Sequence, residues 1–423
     1  MRHIVYLIGI LLIFSSCKTD ITVPVPGFGE TSIIEDTHLL SAEAKKRIEG
    51  VYRVTSGKAL LGERVVIRWS GDHMSIFGTN NAVYCIMRGG SLESFIFFEG
   101  YWRYAANTET GLTEFKIAPG EGGDYIISGN GSSTQITLTG TYGNDYDLPN
   151  KTLIIEFERP IDPEILEKPF WIFAHRGGGR TADYLPASEN TLEIINLAGR
   201  YGANAIEIDV KLSKDRIPFL YHDKTINLRL TQKGVIWGDI EDFTFAQLRT
   251  FITLINGEKI PSLREALEFV LTQTELTMVW LDMKSEKNDF PEVIPIQQDI
   301  MERAMTMGRT LEIFVGLPTD DKMNQFLSYS GYQEILSLNE QDIDDVRSTA
   351  STFWGPRWTL GLQLVNVDAM HAEDRRVITW TMDDPQFISR FLNEGRFDGM
   401  VTNYPTLVAY HHFIRESDAQ NTP

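Results

Sequence analysis

The hydrophobic pattern of this chain changes once, near residue 160, and that change constrains the fold more than anything else in the sequence. Before it, apolar and polar residues alternate in short runs at 65–69, 73–77, 82–87, 94–104, 113–117, 125–128, 134–140 and 152–158. Clusters such as Gly89-Gly90-Ser91 and Gly129-Asn130-Gly131 separate them. Period two broken by turn residues predicts short antiparallel strands that close into a barrel or sandwich, and a small lipocalin-type barrel is the topology expected. One amphipathic helix, 41–48, precedes the strands. The aromatic group Phe95, Phe97, Phe98, Tyr101, Trp102 and Tyr104 either lines a ligand cavity or fills the core.

Arg159-Pro160-Ile161-Asp162-Pro163 ends that pattern, and apolar strands then alternate with helical stretches. Strands are expected at 170–174, 205–212, 218–221, 277–283, 311–317, 335–339, 377–381 and 399–402, and helices at 189–201, 245–251, 262–271 and 292–305. About eight βα units over roughly 250 residues favour a closed (β/α)8 barrel over an open sheet. The fold class is therefore α/β, a TIM barrel behind a small all-β domain, with chemistry expected where strands end.

The N-terminus has its own grammar. Met1, Arg2 and His3 lead into an apolar run, 4–14, that is too short to span a bilayer, and Ser15-Ser16-Cys17 follows. This arrangement resembles a bacterial lipoprotein signal, with Cys17 as the lipidated residue; an ordinary secretory signal is the alternative. The expected organisation is a signal peptide over 1–16, a tether over 17–40, the β domain over 41–160 and the α/β barrel over 170–417. The expected location is the cell envelope, anchored only through Cys17. Cys85 is the one other cysteine, so a disulfide scaffold and a cysteine-only metal cluster are excluded. Lys and Arg number 39 against 58 Asp and Glu, a net charge of −19. Such a surface repels nucleic acid, so a phosphorylated substrate needs local positive charge within its site.

That charge is found at the ends of the expected strands. Strand 170–174 runs into His175-Arg176 and then three glycines that could cradle a phosphate. In strand 205–212, Glu207 and Asp209 are two apart and share a face. Two such carboxylates repel unless a cation lies between them, one takes up a proton, or one sits at the rim beside a Lys. Hard oxygen ligands favour Ca²⁺ or Mg²⁺ over zinc. Strand 218–221 ends in His222-Asp223, and strand 277–283 carries Asp282 with Lys284 two residues on. A structural core does not gather two His, three carboxylates, a Lys and an Arg at the ends of its strands.

His175-Arg176-Gly177, 186–191 (PASENT), Glu207-Ile208-Asp209-Val210, His222-Asp223, 260–263 (IPSL), Leu281-Asp282-Met283-Lys284, Trp380-Thr381 and 398–405 (DGMVTNYP) occur in one order. In that order they resemble the glycerophosphodiester phosphodiesterase family. The resemblance implies a TIM barrel that hydrolyses glycerophosphodiesters with a divalent cation, Ca²⁺ or Mg²⁺. It implies His175 and His222 as the acid–base pair, Glu207, Asp209 and Asp282 as metal ligands, and Arg176 and Lys284 on the phosphate. Trp380 packs against substrate or fills the core, Asn190 bonds near the site or caps a helix, and Glu189 steadies Arg176 or favours a helix N-terminus. The family usually has Glu at the place of Asp282, commonly Asn at the place of Asp383 and commonly Gly at the place of Arg216. The β domain lies outside the resemblance. Two alternatives use the same chain: a phospholipase D-type lyase on choline phospholipids that leaves a cyclic phosphate, and a non-catalytic, lipid-anchored binding protein.

Overall fold

The computed structural model describes residues 25–105, 107–133 and 136–416; Cys17 and the expected signal lie outside them. No helix among the described residues is long and apolar enough to cross a membrane. In the N-terminal half, β1 (His38–Leu39) pairs with the end of one strand of an eight-stranded closed sheet. That sheet consists of β2 (Gly50–Ser56), β3 (Arg64–Ser70), β4 (His73–Gly78), β5 (Tyr84–Leu92), β6 (Phe95–Arg103), β7 (Thr110–Ile117), β8 (Thr137–Tyr142) and β9 (Lys151–Arg159). Each strand pairs antiparallel with the next, and β9 returns to β2, giving an up-and-down barrel with no open edge. Alternation sorts the side chains. Val65, Ile67, Cys85, Met87, Phe98 and Trp102 fill the interior, while Val66, Phe77, Tyr84 and Ile86 face outward.

Two expectations change here. Residues 125–128 are not a strand but the end of a helix, Gly123–Ser128. Gly122 and Gly129, at φ 101° and 79°, turn the chain left-handed at both ends, and the Gly129 N–H closes on the Tyr125 carbonyl. The aromatic group does not line a cavity as a set. Phe98 and Trp102 fill the core, and Phe95 stacks on Phe97 at 6.1 Å outside it.

The second half closes eight parallel strands: β10 (Trp171–Ala174), β11 (Ala205–Leu212), then, beyond three excursions, β15 (Met278–Met283), β16 (Glu312–Leu317), β17 (Ser337–Asn339), β18 (Phe353–Trp354), β19 (Arg376–Thr379) and β20 (Gly399–Thr402). The excursions are β12 (Pro218–Leu220) and the hairpin of β13 (Thr225–Ile226) with β14 (Gly238–Asp239). Contrary to expectation, 218–221 is no barrel stave: β12 runs antiparallel to β11, Val210 opposite Leu220. The five residues of 213–217 form a hairpin, and a parallel return needs about a dozen residues or more. The missing stave is β18, whose two residues are too few to show any period.

The two barrels share apolar packing. Outward-facing Val51, Val66, Phe77, Tyr84 and Ile86 belong to the same cluster as Ile194, Ala198, Tyr201 and Val408 of the parallel barrel. Tyr84 meets Tyr201 edge to face at 5.3 Å. The fully buried Arg103 donates to the carbonyl of Tyr184, in the loop that follows β10.

Candidate active site

The polar cluster sits at the C-terminal ends of β10, β11 and β15. Directly after β10, His175–Gly177 makes one tight turn with Arg176 left-handed at φ 55°. That conformation aims the Arg176 N–H at Glu207 Oε2, 2.8 Å away. The glycines that follow pack closely against their neighbours. A Cβ at Gly178 would come within 2.4 Å of Ile194 Cγ1, and one at Gly179 within 2.5 Å of Leu185 Cδ1.

Glu207 and Asp209 both project from β11, and Asp282 of β15 pairs in register with Asp209. Three of their carboxylate oxygens lie within 4.8 Å of one another. Glu207 Oε1, Asp209 Oδ1 and Asp282 Oδ1 are buried and accept no hydrogen bond. Three carboxylates so close together, each with a buried oxygen that lacks a donor, suit a hard divalent cation. Burial, reinforced by Asp209 and Asp282, pushes the Glu207 carboxyl well above the usual carboxylate range. Burial alone would raise Asp209 as well, yet Lys284, His222 and Arg176 hold it below its ordinary value. Lys284 ion-pairs with Asp282 and lies 3.8 Å from Asp209 Oδ1. Burial opposes its charge, but Asp282 and Asp209 keep it protonated. Either a dication or a proton on Glu207 would relieve the repulsion among the three carboxylates.

His175 Nε2 lies 3.6 Å from Glu207 Oε2, and its Nδ1 lies 2.6 Å from Asn403 Oδ1. Burial, then the Arg176 charge, lowers its pKa, so the ring is neutral near pH 7. His222 Nδ1 lies 2.7 Å from Asp223 Oδ1. Arg229 grips the Asp223 carboxylate through Nε and Nη2 at 3.0 and 2.7 Å. Burial would raise Asp223, but Arg229, His222 and Asn227 hold it well below the usual range. An ionised Asp223 fixes the proton on His222 Nδ1 and leaves Nε2 free to exchange one.

Arg176 Nη1 donates to Glu189 at 2.7 Å, and its Nε is 3.8 Å from Asp209 Oδ2. Glu189 thus steadies Arg176, and Arg229 holds Glu189 in turn at 3.0 Å. Asn190 does not cap the helix Leu192–Ala198; Thr191 does, through the Ile194 N–H. Instead Asn190, left-handed at φ 60°, donates to Asp209 Oδ2 at 2.7 Å and accepts from the Asp209 N–H. Trp380 directly follows β19 and packs against the aromatic side chains in the centre of the parallel barrel. Its Nε1 donates to the Gly355 carbonyl at 2.7 Å, Arg357 covers its ring at 4.9 Å, and Trp280 meets it edge to face. Arg216 turns away at φ 60° and binds Glu292.

Several groups near the cluster escape sequence reasoning. Asn403 and Asp383 back His175, Arg229 backs Asp223, and Glu340, just past β17, is a buried carboxyl with Oε1 unpartnered. Burial, then the charge of Asp282, pushes Glu340 well above the ordinary range. Asn403 stands inside a quoted motif and Asp383 shortly after Trp380-Thr381, so position alone could have found both. Arg229 follows a β12 that is not a stave, and nothing local marks it.

Residues 175–407 match the model of the glycerophosphoryl diester phosphodiesterase family. Human glycerophosphodiester phosphodiesterase 1 is 36% identical over 129 residues, 29% of this chain and 36% of that protein. The chain thus aligns with only about a third of that relative's length. The glycerophosphodiester phosphodiesterase of Bacillus altitudinis is 26% identical over 245 residues, 55% of this chain and 94% of the relative. Among solved structures, an Oleispira antarctica phosphodiesterase in complex with the product sn-glycerol-3-phosphate matches 57% of this chain and 95% of that one, at 22% identity and a TM-score of 0.46.

Proposed function

The chain belongs to the glycerophosphoryl diester phosphodiesterase family, and from that premise we propose that it hydrolyses glycerophosphodiesters to an alcohol and glycerol phosphate. One observation carries the reading: beside His175, at the family's motif positions, Glu207, Asp209 and Asp282 bring carboxylate oxygens within 4.8 Å of one another, and each keeps a buried oxygen with no hydrogen-bond donor. Glu207, Asp209 and Asp282 would hold one dication, Ca²⁺ or Mg²⁺, which would supply positive charge to a phosphoryl oxygen. Arg176 and Lys284 bind the remaining phosphate oxygens and offset charge that develops in the transition state. His175 Nε2 takes the proton of the attacking hydroxyl, either the glycerol 2-hydroxyl or water. His222 Nε2 gives one to the departing alcohol oxygen. Trp380 packs against the substrate's carbons. Asp282 is one methylene shorter than the usual Glu, and its ion pair with Lys284 holds its carboxylate beside that of Asp209.

The test is phosphorus NMR of glycerophosphocholine incubated with the protein, with and without EDTA. The expected product is glycerol phosphate, with turnover abolished by EDTA and restored by one of the two cations. A cyclic phosphate that persists would replace hydrolysis by the lyase reaction. Folded protein that cleaves no glycerophosphodiester would overturn the enzyme reading and leave the binding protein. The envelope anchor is likewise proposed. It rests on the sequence of 1–17 alone, and loss of acyl labelling in Cys17→Ser tests it.

A further inference from the structure

We propose that Asp383 is a positioning residue that acts through Asn403 to fix the tautomer of His175, leaving Nε2 unprotonated toward the carboxylate cluster. The inference deepens the hydrolase reading, in which His175 is an acid–base group. By itself the contact between His175 Nδ1 and the Asn403 side chain is ambiguous. An amide can present its oxygen or its nitrogen, and an imidazole nitrogen can donate or accept. Asp383 removes the ambiguity. Its Oδ2 lies 2.6 Å from Asn403 Nδ2, and its Oδ1 accepts from the Asn403 backbone N–H at 2.8 Å and from the Thr402 hydroxyl at 3.2 Å. The Thr402 oxygen is itself taken by the Tyr404 N–H at 2.9 Å, so its proton is free to point at Asp383.

A carboxylate only accepts, so the amide must turn its NH₂ toward Asp383. Asn403 Oδ1 is then the atom 2.6 Å from His175 Nδ1, and an oxygen there requires the proton on Nδ1. Nε2, 3.6 Å from Glu207 Oε2, keeps its lone pair for the reaction. The backbone anchors the chain of bonds: Thr402 and Asn403 are buried at the end of β20. A single acceptor at position 383 would not suffice. An Asn there offers one oxygen to two convergent donors, the Asn403 N–H and its Nδ2, and so leaves the Asn403 amide free to flip. Exchanging the two side chains repairs the count. With Asp383→Asn and Asn403→Asp together, the new amide accepts from the backbone and donates to the new carboxylate, which accepts from His175 Nδ1.

The experiment uses the full chain loaded with the activating cation, labelled with ¹⁵N-histidine, and the His175 resonances assigned by their loss in His175→Ala. The wild type is expected to show one tautomer, protonated at Nδ1. Asp383→Ala should average the two tautomers and lower kcat roughly tenfold or more, within the span of general acid–base catalysis, with KM changed by no more than about twofold. Asp383→Asn should fall likewise, and D383N/N403D should recover the single tautomer and a kcat within about threefold of wild type. An unchanged Nδ1–H signature and kcat in Asp383→Ala overturns the proposal. So does a double variant no better than D383N, which also decides the matter if Asp383→Ala fails to fold. A wild type that cleaves no glycerophosphodiester sinks the hydrolase reading instead, and the imidazole spectra still judge this one.

Discussion

Two eight-stranded barrels stand side by side in this chain, and they put polar groups to opposite use. In the antiparallel barrel, each strand turns back beside the next and apolar side chains fill the interior, Cys85 among them. In the parallel barrel, Phe173, Trp280, Phe314 and Phe353 plug the centre, and ionisable side chains collect at one rim. Parallel pairing is the cause. Each strand must be followed by a crossover, so all eight strands end on the same side, and their following residues converge. An antiparallel meander sends alternate strand ends to opposite sides and gathers no such cluster. One barrel is built to be stable; the other places charge.

The strongest test of that contrast is activity. His175→Ala and His222→Ala should each lower kcat by about 10²–10⁴, the usual span for a lost acid or base, while Cys85→Ala leaves kcat within about twofold. Equal losses in all three would erase the distinction between the barrels. Next is stability. Phe98→Ala empties the antiparallel interior and should cost roughly 3–5 kcal/mol in denaturant unfolding, with kcat of the folded fraction unchanged. A smaller effect sharpens the junction between the barrels. Arg103→Met leaves the Tyr184 carbonyl without its buried donor and should cost about 1–3 kcal/mol. Because Tyr184 lies in the loop after β10, a kcat that drops with stability would show that the first barrel braces the second.

The smallest expected effect is a pH slope at the same junction. His412, on the last helix, stacks on Phe170 at 4.8 Å, and burial, then the charges of Arg415 and Arg68, lowers its pKa to about 3. A histidine depressed in the folded state contributes its full stability above its unfolded value near 6.5. The contribution is lost as the pH falls from 6.5 toward 3, by no more than about 1.4 kcal/mol per unit. His412→Phe keeps the stacking without titrating, so its melting temperature should fall less between pH 6.5 and 5 than that of the wild type. Parallel curves would remove His412 from the junction's acid sensitivity.

Much of the site is legible because motif and strand end coincide. Glu207 and Asp209 share a face by period alone, and His175 and Arg176 follow a short apolar strand. The groups that aim them are less visible. Arg229 reaches Asp223 within the loop that follows β12, six residues on, where no motif marks it, and Asp383 meets Asn403 across neighbouring strands 20 residues apart. Residues 218–221 and β18 show the same boundary on the scale of the fold. An apolar run of the right length reads as a stave whichever way it pairs, and a stave of two residues does not read at all.

By itself, then, the sequence determined an antiparallel all-β unit ahead of a (β/α)8 barrel, the order of the polar residues, and the motifs that resemble the family. The first two are properties of periodicity and spacing, which local chain geometry sets; the family rests on the resemblance of the motifs. Only the tertiary structure decided which strands close the sheet, which amide faces which carboxylate, and that a side chain at position 178 or 179 would meet Ile194 or Leu185. Those outcomes depend on the direction of hydrogen-bond donors and on contacts between distant segments, and neither is written in any short stretch of chain.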